Sequence, residues 1–115
     1  MTFTINERDN VVIVKMEGEH RLTELPPPAV TLQKLVKEQL EAGKTKFIFD
    51  FKKVDFIDSY GIGDLVASYV SAQNKGAKLK IMNLSPKVRM VISYCGIQRI
   101  IEIYEDEESA VKSFC

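Results

Sequence analysis

Hydrophobic positions recur along the chain with two periods, and the places where the period changes divide it into elements. Alternating or continuous apolar residues predict strands over 3–6, 11–16, 47–51, 79–82 and 100–104. Apolar residues three and four apart predict helices over 29–41, from Ser59 to Gly76, from Pro86 to Gly96 and over 106–114. Val11, Val12, Ile13 and Val14 are continuously apolar, as expected of a central strand covered on both faces. Gly18-Glu19 is read as its end, and Arg8-Asp9-Asn10 as the hairpin turn before it. Leu32, Leu35, Val36 and Leu40 give the first helix its buried stripe. The strand–helix–strand order predicts a parallel pair with a right-handed crossover. The fold class is therefore α/β, a mixed sheet of about four to five strands covered by about four helices.

The residues from Phe47 to Leu65 carry most of the information. An aromatic strand, Phe47-Ile48-Phe49-Asp50-Phe51, is followed by a turn and a second apolar touch at Phe56-Ile57. Asp58-Ser59-Tyr60-Gly61 comes next, and then Ile62, Leu65, Val66, Tyr69 and Val70 at helical spacing. Ser59 thus stands where a helix begins. The first amides of a helix lack partners inside it, and the helix dipole is positive there. Asp58 or Ser59 serves as an N-cap, a contribution of about 1 kcal/mol. A phosphate on Ser59 would also be well accommodated at this position.

Composition removes several classes of function. The 16 Lys and Arg are matched by 16 Asp and Glu, whereas a nucleic-acid binder needs a basic excess. No apolar run is long enough to span a membrane, and there is no charged start followed by an apolar segment. Cys95 and Cys115 are too few for a disulfide framework, so a reduced, cytoplasmic protein is expected. Cys95 reads as a small core residue and Cys115 as part of a frayed end. With one His and two distant Cys there is no metal-ligand cluster, and no cofactor is expected. The set of residues for a Ser–His–acid catalyst is missing. Gly61-Ile62-Gly63 lacks the third glycine of a dinucleotide fingerprint, and Gly63 is read as permitting close helix packing. An enzyme is not expected.

The remaining features are local. Pro26-Pro27-Pro28 forms a stiff extended spacer, with Pro28 suited to the first helical position; a ligand for a polyproline-binding partner is the alternative. Ser85 and Pro86 read as cap and first residue of the third helix. The acidic run from Glu105 to Glu108 reads as the cap and first turn of the last helix. At 115 residues, the chain is expected to form a single domain, 1–115.

Val54-Asp55-Phe56-Ile57-Asp58-Ser59-Tyr60-Gly61-Ile62-Gly63 resembles the signature of STAS domains, in particular that of bacterial anti-sigma-factor antagonists. That family's pattern runs hydrophobic-Asp-Ser-Ser/Thr-Gly-Leu-Gly. The resemblance continues through Gly76 to Asn83, Ser85 to Ile97 and Ile103 to Ala110, so it covers nearly the whole chain. It implies a STAS-like sheet and a partner-switching role. The unphosphorylated protein would bind an anti-sigma factor that is also a serine/threonine kinase, so releasing a sigma factor. The kinase would phosphorylate Ser59, and a phosphatase would reverse this. The residues implied at the partner surface are Asp58, Ser59, Tyr60, Ile62 and Arg21. Asp55 and Asp64 would add to its negative charge. Tyr60 replaces the family's small residue, either crowding the kinase site or offering an amphipathic contact. Arg21 stands where the family has Asp, and is either a phosphate-pairing guanidinium or a solvated loop residue. The expected protein is a monomer or weak dimer that neither binds nucleic acid nor inserts into a membrane. Two other roles within the family are a non-phosphorylated docking subunit of a lipid or anion transport complex and a small-molecule sensor.

Overall fold

A computed structural model describes residues 2–20 and 31–115. Five strands, β1 (Thr2–Arg8), β2 (Val11–His20), β3 (Lys46–Ile57), β4 (Lys78–Met82) and β5 (Ile103–Tyr104), form one sheet in the order β1-β2-β3-β4-β5. β1 runs antiparallel to β2, and every other neighbouring pair is parallel. The helices are α1 (Leu32–Glu41), α2 (Ser59–Asn74), α3 (Pro86–Tyr94) and α4 (Glu107–Lys112). The expected mixed sheet with four helices is the one observed.

The register explains the run of apolar residues in β3. Phe47, Phe49 and Phe51 face the main core, shared with Val12, Val14, Leu32, Val36, Leu65, Val88 and Ile92. Ile48 points the other way and packs with Val11, Ile13, Met82, Ala110 and Val111 under α4. A strand covered on both faces must be apolar at consecutive positions, and β3 is the middle strand of the sheet. β2, expected to be central, is interior but lies one place from the edge.

The turn expected after Phe51 is instead continuous strand to Ile57. Its pairing with β2 passes from Lys15↔Asp50 to Glu17↔Lys53, and from Gly18↔Val54 to Glu19↔Phe56. Each step leaves an extra residue in β3. The two bulges reset the alternation, which brings Val54 and Ile57 back to the core side and leaves Lys52 and Lys53 exposed. The same irregularity carries β2 past Gly18, at φ 107°, as far as His20.

Several boundaries move for local reasons. The hairpin turn is only Asp9 and Asn10, both at positive φ, with Arg8 still paired to Val11. α1 starts at Leu32 and not in the proline-rich stretch, because Thr31 is extended and its hydroxyl takes the Lys34 amide at 3.2 Å. Positions 21–30, including Pro26, Pro27 and Pro28, lie outside the described residues. In α1, Leu32 and Val36 are buried, while Leu35 and Leu40 pack against the core from its margin. The expected last strand begins later: a 3-10 turn at Ile97–Arg99 precedes it and residues 100–102 are not yet strand, which leaves β5 two residues long. Ser85 and Pro86 cap and open α3 as expected. Cys95 does not join the core: it follows α3 as its C-cap and is exposed, as is Cys115.

A buried lysine ties α4 to the sheet. Lys80 is 5% exposed, and its ammonium donates to the Ser113 carbonyl at 3.2 Å and hydroxyl at 2.8 Å. It also lies 4.3 Å from the Phe114 ring centre.

Candidate functional site

The bulged end of β3 delivers the chain directly into α2. Asp58 has an extended backbone, and its carboxylate accepts the Gly61 amide at 3.1 Å. Its own carbonyl accepts the Ile62 amide at 2.9 Å. Of the two capping candidates, Asp58 is thus the N-cap, and Ser59 is the first residue of the helix. The Ser59 side chain is exposed, and among the described residues no hydrogen bond takes its hydroxyl. Gly61, Leu65, Ser68 and Ala72 form the buried face of α2, mostly small residues that let it lie close to the sheet. Ser59 projects from a helix fixed along its opposite side.

Tyr60 is half-buried beside Ser59, and its phenol is pushed above the usual range by burial, then by the carboxylates of Asp64 and Asp58. Ile62 is half-buried and packs against the core, so only part of it reaches the surface. Asp55 is exposed. The Phe56 ring lies under the ammonium of Lys87 from α3, with 5.6 Å between them, a neighbour of the site that no sequence pattern indicated. Gly63 is exposed, and a Cβ added there would meet nothing within 4 Å, so it is not a close-packing glycine. The strand pairing ends with His20 alongside Ile57. Arg21, the next residue, lies outside the described residues.

Asp64 is the residue whose role differs most from expectation. It is not simply one more carboxylate on an acidic surface. Its Oδ2 accepts the Leu32 amide at 2.9 Å and its Oδ1 the Gln33 amide at 3.0 Å, so it caps the start of α1 from a different helix. A second buried polar contact lies at the same end of the sheet. Asp50 accepts the Asn83 side-chain amide and the Lys52 backbone amide, each at 3.0 Å. Among the described residues, no group of His, Cys, Asp and Glu could hold a metal ion. No described helix is long and apolar enough to cross a membrane.

The model of the STAS domain matches residues 2–110. The chain belongs to the STAS domain family. The anti-sigma-B factor antagonist of Bacillus subtilis (strain 168) is 26% identical to this STAS domain over 108 residues, 94% of each chain. The anti-sigma F factor antagonist of Paenibacillus polymyxa is 26% identical over 104 residues, 88% of this chain and 84% of the relative. Among solved structures, a candidate anti-sigma factor antagonist from Thermotoga maritima superposes with a TM-score of 0.79 at 26% identity, covering 96% of this chain and 92% of that one. The Bacillus cell fate determinant SpoIIAA, solved in its phosphorylated form, shares the fold at a TM-score of 0.70 and 19% identity, covering 99% of this chain and 100% of that one.

Proposed function

We propose that this STAS domain is an anti-sigma factor antagonist that binds an anti-sigma factor acting as a serine kinase, and that phosphorylation of Ser59 switches the binding off. The observation that carries the reading is Ser59 itself, an exposed hydroxyl on the first turn of α2 in the Asp58-Ser59-Tyr60-Gly61 motif. In the transfer, the Ser59 oxygen takes the γ-phosphoryl group of ATP, its proton goes to a base on the kinase, and ADP leaves. The phosphoserine carries about −1.5 to −2 charge beside Asp58 and Asp55. An apolar or acidic partner surface docked on this end of α2 would then face repulsion and an unfavourable desolvation. Tyr60 and Ile62 supply the amphipathic and apolar contacts in the unmodified state. Arg21 is the candidate to pair with the phosphate. The names of the Bacillus and Paenibacillus relatives support the partner class.

The deciding experiment is intact-mass analysis with peptide mapping of the protein from its own cells, alongside Ser59→Ala. One phosphate on Ser59, absent from the variant, is expected. Ser59→Asp should retain an anti-sigma kinase at least tenfold less well than Ser59→Ala; equal retention would remove the charge switch. A protein unphosphorylated under all growth conditions that co-purifies with a transport ATPase would establish the docking-subunit reading instead.

A further inference from the structure

Asp64 lies five residues beyond Ser59, about 7.5 Å further along the axis of α2. Both of its oxygens are engaged by consecutive amides of α1, those of Leu32 and Gln33. Thr31 accepts the third amide, from Lys34. The first three amides of α1 therefore all have side-chain acceptors, two of which come from the helix that carries the phosphoacceptor. The turn holding Asp64 is itself fixed: its carbonyl accepts the hydroxyl of the fully buried Ser68 at 2.8 Å. Tyr60, one helical turn before Asp64, stands between the two caps and feels both carboxylates. A second contact, from the Gln33 side chain to the Ser71 hydroxyl at 3.4 Å, continues the junction along the two helices.

We propose that Asp64 is a positioning residue for the Ser59 site, welding the first turn of α1 to the second turn of α2 to make one rigid surface on which the kinase recognises its acceptor. The proposal rests on the phosphoswitch reading of Ser59 and adds a determinant to it. A carboxylate of α2 that takes two consecutive amides of α1 fixes both the separation and the relative rotation of the helices, which one hydrogen bond would not. A kinase that docks on this end of the sheet then meets Ser59 at a fixed distance from Thr31 and the exposed Lys34. Without the bridge, α1 keeps its buried Leu32 and Val36 and its Thr31 cap but loses two of the three acceptors on its first turn.

The test compares wild type, Asp64→Ala and Asp64→Asn expressed in the protein's own cells. It reads Ser59 phosphate occupancy by intact mass and exchange of the Leu32 and Gln33 amides by hydrogen–deuterium exchange. Circular dichroism confirms that each variant is folded, and Asp64→Asn, which keeps a carbonyl acceptor, supplies a folded comparison if Asp64→Ala fails. The expected result has three parts. Exchange at Leu32 and Gln33 rises at least tenfold in Asp64→Ala, Ser59 occupancy falls at least threefold, and Asp64→Asn lies between on both readouts. Faster exchange with unchanged occupancy would overturn the proposal and leave Asp64 a structural cap. Unchanged exchange would remove the bridge itself. A wild type unphosphorylated at Ser59 would instead remove the phosphoswitch reading, and this proposal with it.

Discussion

Helix α2 begins on its own aspartate, whereas α1 begins on a threonine of its own and an aspartate supplied by α2. At α2, Asp58 and Gly61 are three residues apart, and the cap closes within one turn of chain. At α1, the Asp64 contacts to Leu32 and Gln33 span 32 and 31 residues. The first cap holds only its own helix, and Ser59 beside it remains exposed. The second joins two helices, so a change there should be felt at both. Neighbouring helix starts in one small fold can thus differ in whether they are self-contained or shared.

Removing each cap should separate the two cases. Asp64→Ala leaves two amides at the α1 start without their acceptor and should cost about 2 kcal/mol in urea denaturation. Asp58→Ala should cost about 1 kcal/mol, because one local cap is lost while the sheet contacts of α2 persist. If Asp58→Ala proves the more damaging of the two, the shared cap is weaker than its geometry indicates. Gly63→Ala acts in the opposite direction. It adds a methyl group in open space on the exposed face of α2, and should stabilise the protein by about 0.5–1 kcal/mol.

Tyr60 offers the smallest and most specific probe, because it responds to both aspartates. Its phenol is held neutral above the ordinary value of about 10 by burial and by Asp64 and Asp58. A raised folded-state value means that the stabilisation is fully present below the unfolded pKa and is lost as pH rises through the folded one. Denaturation midpoints should therefore decline on the alkaline side of about pH 10, and Tyr60→Phe should flatten that decline. Absorbance titration of Asp64→Asn should bring ionisation of Tyr60 to lower pH. An unmoved titration would mean that Asp64 does not act on the phenol.

The sequence was informative wherever a physical cause lay within one turn or one strand. Ser85 and Pro86 announced α3, the Asp58-Ser59 pair announced α2, and the aromatic run at 47–51, interrupted only by Asp50, announced a largely buried strand. What escaped were effects that need two distant segments. The bulges of β3 arise from its pairing with β2, so Lys52-Lys53 looked like a turn. The exposure of Cys95 depends on where α3 ends relative to the core. Asp64 was visible as an acidic residue near the motif, but nothing within its own helix reveals that its partners are the amides of Leu32 and Gln33. Gly63 failed for the reverse reason: a glycine in a familiar motif suggested a close neighbour, and there is only solvent.

The contacts of Lys80 bear on how the protein can be handled. Its ammonium is buried against Ser113 and Phe114, which carry its two hydrogen bonds and its nearest ring contact, with the Glu102 carboxylate further off at 3.7 Å. Cleavage before Ser113 would strip two oxygen acceptors from a cation with almost no access to water, so damage at the end of α4 would register in the middle of β4. A label attached beside Ser113 or Phe114 would load the same latch. The turn at Asp9-Asn10, exposed and closed by its own backbone, is the gentler place for a label, at the cost of respecting two residues that must keep positive φ.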